Sequence, residues 1–268
     1  MNRLKNTFET LTKNNDTALV GFVTAGDPNV DTSLQIISAM CENGIDVLEL
    51  GVPFSDPTAD GPVIQRSSAR ALQHDISLAT VLEMIREIRA KTSIPIIIFS
   101  YYNPIIAYGI DVFYSDAVDA GADGVLVVDL PMEESNELAS KWPKNGFSLI
   151  SLVAPTTPKD RMAKIAKSAS GFLYLVSKTG VTGSDGLDTS EVKTQMDILR
   201  SVTDLPVCVG FGISTAEDVA AVASLADGVV IGSAFERLIE ENIDSPDLTQ
   251  MVGLVTAEYK RATQQTGS

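Results

Sequence analysis

The sequence predicts an α/β fold: a single (β/α)8 barrel of the TIM type over residues 1–268, with an extra helix at its N-terminus. Three observations predict it. Short apolar runs alternate with helix-period runs about eight times without a break in composition, and such alternation builds parallel sheet. The strand-like runs are apolar at nearly every position, as expected of strands covered on both faces. The length of 268 residues is close to the roughly 250 typical of these barrels. A doubly wound open sheet is the alternative. Its dinucleotide-binding form is poorly supported, because no G-x-G-x-x-G follows the first strand.

The elements follow in order. Leu4 to Lys13 places Leu4, Phe8 and Leu11 on one helical face. Ala18 to Thr24 is a strand stopped by Gly26-Asp27-Pro28. Thr32 to Asn43 is a helix with Gly44 at its C-terminal cap. Ile45 to Gly51 is the second strand, and a helix-compatible run begins at Pro62. Ser77 to Lys91 carries a clean apolar stripe. Ile94 to Tyr101 is the third strand and Ile110 to Ala120 a helix. Gly124 to Asp129 is the fourth strand, and Pro131 starts a helix with Glu133 and Glu134 in its first turn. Phe147 to Val153 and Gly171 to Ser177 are strands around a helix that ends at Lys167. Thr189 to Ser201 is a helix and Pro206 to Gly210 a strand. Ser214-Thr215-Ala216-Glu217 reads as a capping box. Asp227 to Ile231 is the last strand, and helices follow to about Arg261.

The balance of 35 acidic against 20 basic residues gives a net charge of −15, which argues against nucleic acid or an anionic membrane as partner. One histidine, His74, and two cysteines, Cys41 and Cys208, leave little for a His-based metal site, a Ser-His-Asp triad or a disulfide framework. The polar N-terminal stretch and the absence of any apolar run near 20 residues point to a cytoplasmic protein.

The stretch from Asp46 to Asp60 carries the first chemistry. Glu49 lies inside an apolar strand, where a carboxylate is costly without a partner or a task. Pro53 and Pro57 make the following segment a loop, and Asp60 closes it. Glu49 as a core carboxylate and Asp60 as a helix cap are the structural alternatives. In a barrel the site lies at the C-terminal strand ends, where Tyr101, Asn103, Asp129 and Tyr174 also fall. Tyr174 in an apolar strand also suits plain core packing. Glycine-containing loops follow strands six, seven and eight: Thr179 to Gly183, Gly210 to Ser214, and Gly232-Ser233. Glycine lets backbone N–H groups approach a ligand, and barrels often hold phosphate after strands seven and eight. Plain strand-to-helix turns are the alternative.

With these motifs the chain resembles the α-subunit family of tryptophan synthase. The matching segments are Leu48 to Pro57 with Ala59 to Pro62, Asp129-Leu130-Pro131, Gly180 to Gly183, Gly210 to Ser214 and Gly232-Ser233-Ala234. The resemblance covers essentially the whole length. It implies a lyase of L-tryptophan biosynthesis that cleaves indole-3-glycerol phosphate to indole and D-glyceraldehyde 3-phosphate. It implies Glu49 as the acid/base and Asp60 as partner of the indole N–H. Tyr174 would lie beside them, with Phe22, Phe99, Tyr101 and Val128 as walls of the indole pocket. Gly183 with its neighbour Thr182, Gly212, Gly232 and Ser233 would hold the phosphate. It implies no metal or organic cofactor on this chain, and a pyridoxal-phosphate β subunit as partner in an α2β2 heterotetramer. Lys178 departs from the arginine of better known members. Two rival readings stand beside this one: a Schiff-base aldolase using Lys178, and a non-catalytic activating subunit.

Overall fold

The computed structural model describes residues 2–142, 146–177, 189–210 and 212–264. Eight parallel strands close into a barrel in sequence order: β1 Ala18–Thr24, β2 Val47–Gly51, β3 Ile96–Ser100, β4 Gly124–Val127, β5 Ser148–Val153, β6 Leu173–Val176, β7 Val207–Gly210 and β8 Gly228–Ile231. Closure, with β1 pairing β8 from Ala18↔Gly228 onward, rules out the open sheet.

Twelve helices surround the barrel among the described residues: α1 Arg3–Asn14, α2 Val30–Glu42, α3 Pro62–Leu72, α4 Leu78–Arg89, α5 Tyr102–Tyr108, α6 Ile110–Ala120, α7 Met132–Lys141, α8 Lys159–Ser168, α9 Thr189–Arg200, α10 Ala216–Ala223, α11 Ser233–Glu241 and α12 Leu248–Thr263. None of them is long and apolar enough to cross a membrane.

Two details differ from the sequence reading. Helix α5 forms where only a connection was expected. Its Pro104 sits in the first turn, where no intrahelical N–H bond is lost. The capping box of α10 uses Thr215 and Asp218, one residue later than expected.

Strand side chains alternate between two cores. Outward residues such as Leu48, Leu50, Ile96 and Ile98 pack under the helices. Inward residues such as Val20, Val47, Ile97, Leu126, Ile150 and Val230 fill the barrel. Helix α1 turns Leu4, Phe8 and Leu11 onto the N-terminal end of this interior, with Phe8 5.8 Å from Phe172. The barrel is thereby plugged at the N-terminal strand ends.

The same alternation sets the upper layer. On β1, Phe22 follows Val20 two residues on; on β2, Glu49 follows Val47; on β3, Phe99 follows Ile97. The register places Phe22 beside Glu49 and Glu49 beside Ile97. The strand period that packs the barrel thus delivers a carboxyl and two aromatic rings to its mouth.

Candidate active site

Glu49 is 1% exposed, and its Oε1 has no hydrogen-bond partner. Burial alone pushes its pKa from 4.5 up to about 8. A core carboxylate satisfied by backbone N–H groups would carry the opposite signature, so this side chain is a proton holder near neutrality.

Asp60 ends the loop that leaves β2. It does not cap α3: Gly61 holds that position and makes no side-chain cap. Asp60 is half-buried, and desolvation raises its pKa from 3.8 to about 6 against the opposing hydrogen bond of Tyr101. At neutral pH the two acids therefore hold different states, Glu49 protonated and Asp60 ionised, which is how a pair of carboxyls takes two roles.

Both acids line one cavity of about 270 Å³ at the C-terminal strand ends, with Phe22, Phe99, Tyr174, Gly212, Gly232 and Ser233. A second cavity of about 400 Å³ shares Asp60, Phe99 and Tyr174 and extends past Val128 and Leu152. Phe22 and Phe99 meet edge to face at 5.1 Å. Two glycines make room for the aromatic walls. A Cβ on Gly51 would come within 2.6 Å of the Phe22 ring, and one on Gly210 would collide with the Tyr174 hydroxyl. Tyr174 is buried, and its hydroxyl is pushed far above the usual range by burial and by Glu49 nearby.

Not every residue singled out in the sequence joins these cavities. Tyr101 lines neither. It is buried, packs on Phe54 at 5.0 Å, and accepts a hydrogen bond from the Ala59 N–H at 2.9 Å, so it pins the loop that carries Asp60. Asn103 is exposed on α5, and Asp129 accepts from the Tyr102 N–H at the start of that helix. Lys178, Thr182 and Gly183 lie outside the described residues.

At another part of the same lining, α11 begins at Ser233 with Gly232 as its N-cap and no side-chain cap, leaving the first N–H groups open to a ligand. Gly212 holds φ +71, a backbone that suits glycine. The sequence reading missed Arg237, which lines the same cavity. Its spacing of one helical turn from Ser233 is the signal that could have found it.

Residues 8–264 match the family model described as tryptophan synthase alpha chain. The chain belongs to the tryptophan synthase alpha chain family. The family's relatives span it end to end. Tryptophan synthase alpha chains of Desulfatibacillum aliphaticivorans and Desulfosudis oleivorans are each 62% identical over 264 residues, 98% of this chain and 100% of theirs. The crystal structure of tryptophan synthase subunit alpha from Legionella pneumophila superposes with a TM-score of 0.90 at 41% identity, covering 98% of both chains. A Mycobacterium tuberculosis tryptophan synthase structure gives 0.87 at 30% identity over 98% of both. As a member of this family, the chain is a carbon–carbon lyase of tryptophan biosynthesis, cleaving indole-3-glycerol phosphate to indole and glyceraldehyde 3-phosphate.

Proposed function

We propose that Glu49 and Asp60 carry this retro-aldol cleavage, with the indole between Phe22, Phe99 and Tyr174 and the phosphate at Gly212, Gly232 and Ser233. Val128 bounds the indole on the side of the larger cavity. The observation that carries the reading is Glu49: a buried carboxyl without a hydrogen bond on Oε1, held protonated at neutrality, in one cavity with an ionised Asp60.

The chemistry uses both states. Protonated Glu49 delivers its proton to indole C3. The resulting positive charge sits on the indole nitrogen, where the Asp60 carboxylate stabilises it as it develops. The Glu49 carboxylate, now a base, removes the proton of the glycerol C3′ hydroxyl as the C3–C3′ bond breaks. The electron pair of that bond returns to the indole ring, the hydroxyl becomes the aldehyde of glyceraldehyde 3-phosphate, and Glu49 ends protonated as it began. The phosphate takes no part and serves to hold the substrate.

We further propose that the chain works as one domain in the cytoplasm, as the α half of an α2β2 complex with a pyridoxal-phosphate β subunit. The free thiols Cys41 and Cys208 suit a reducing compartment. The loop between β2 and α3 exposes Ser55, Asp56 and Thr58 at the barrel mouth, a surface on which a partner can act on Asp60 directly. The test is indole release from indole-3-glycerol phosphate in single turnover, wild type against Glu49→Gln, with and without β subunit. A folded Glu49→Gln chain that keeps near-normal turnover removes Glu49 from the chemistry. Borohydride trapping with substrate addresses the aldolase alternative: an adduct at Lys178 would replace this mechanism.

A further inference from the structure

The cavity that holds both acids has one cationic side chain among its described lining residues, Arg237. Arg237 lies four residues after Ser233 on α11, hence on the same helical face. Helix side chains tilt toward the N-terminus, so a long side chain at this position covers the turn that opens at Gly232 and Ser233.

The neighbouring arginines are engaged. Arg70 grips Asp27 through Nη2 at 2.7 Å and reaches Glu240 at 2.9 Å, and Arg66 holds Glu240 at 2.7 Å. Arg237 is exposed and has no ion pair or hydrogen bond among the described residues, in a chain with 35 acidic groups and 20 basic ones.

The electrostatics call for such a group. A phosphate ester brings nearly two negative charges into a site that already contains an ionised Asp60. The open start of a helix supplies only about half a positive charge. A guanidinium supplies a full one and matches phosphate oxygens two at a time.

We propose that Arg237 is the charge-reading residue of this site: it pairs with the substrate phosphate and sets the preference for a phosphorylated over an unphosphorylated indole glycerol. This rests on the phosphate lying at Gly212, Gly232 and Ser233, and the experiment separates the two ideas. Binding of glycerol 3-phosphate and, separately, of indole is measured by calorimetry on the whole chain, for wild type, Arg237→Gln, Arg237→Lys and Ser233→Asp, with circular dichroism as folding control. Loss of a charge-assisted pair predicts that Arg237→Gln binds glycerol 3-phosphate roughly tenfold to a hundredfold more weakly. Arg237→Lys recovers part of that, and indole binds all of them alike. In steady state, Arg237→Gln raises KM more than it lowers kcat. If Ser233→Asp abolishes glycerol 3-phosphate binding while Arg237→Gln leaves it unchanged, the phosphate site stands and the role of Arg237 falls. If neither substitution matters, both fall. Equal weakening of indole and glycerol 3-phosphate by Arg237→Gln also overturns the proposal, since a charge reader acts on the phosphate alone.

Discussion

Glu49→Gln is the substitution whose consequences can be worked furthest. The amide keeps the size of the side chain and removes its charge. In the unfolded chain Glu49 titrates near 4.5, and in the folded protein near 8. Below pH 4.5 the carboxyl is protonated in both states, and wild type and variant differ by packing alone. As pH rises through that window, the unfolded chain ionises while the folded one keeps its proton, and wild type loses about 1.4 kcal/mol of stability per pH unit. The gap between wild type and the Glu49→Gln variant reaches roughly 3 kcal/mol at pH 7 and levels off near 5 kcal/mol above pH 8. Glutamine does not titrate, so the variant's own stability carries no such slope. Turnover moves the opposite way. Losing the group that both gives and takes a proton costs about a hundredfold to ten-thousandfold, or more because one residue does both. Urea denaturation of both proteins at pH 5, 7 and 9, paired with single-turnover indole release, reads the two effects together. Wild-type kcat/KM also declines above pH 8 as Glu49 loses its proton. A stability gap that stays constant with pH would mean Glu49 is already ionised in the folded state, and the acid step would fail with it.

Three further outcomes follow from the same site. Asp60→Asn retains measurable turnover in the single-turnover assay, well above Glu49→Gln, because an amide oxygen still accepts from the indole N–H; equal loss in both variants would contradict the division of roles. Tyr101→Phe removes the hydroxyl that lowers the Asp60 pKa, so Asp60 titrates above its value of about 6 when followed by carboxyl NMR; an unchanged titration would detach Tyr101 from that loop. Gly51→Ala forces the Phe22 ring to move from a Cβ placed at 2.6 Å, costing about 1–3 kcal/mol of stability and weakening indole binding by calorimetry; wild-type values for both would show that the wall is slack.

Legibility in the sequence tracked how locally each feature is encoded. The eight strands were readable because both faces of each are largely buried, so apolar side chains dominate them. Glu49 was readable for the same reason, as the exception in such a strand. Helix α5 was not, because Asn103-Pro104 signals a break in a seven-residue segment, and only the structure shows that proline in a first turn. Tyr101 reads as a pocket wall until the Ala59 N–H folds back onto its hydroxyl, a contact 42 residues apart in the chain. Arg237 hid behind the glycine motif, since it belongs to the site through helical geometry rather than through adjacency.

The helix that plugs the barrel has a consequence for traffic. With Leu4, Phe8 and Leu11 seated on one end of the interior, the proposed site is a well closed at the α1 end. Among the described residues, the cavity that holds Glu49 and Asp60 lies at the C-terminal strand ends, beside the loop from β2 that carries Asp60. Among the described residues, an indole formed at the proposed aromatic wall would meet the packed interior cluster toward α1 rather than an exit. Whatever covers the mouth controls its escape, and a chain docked there would receive the indole directly rather than from bulk water.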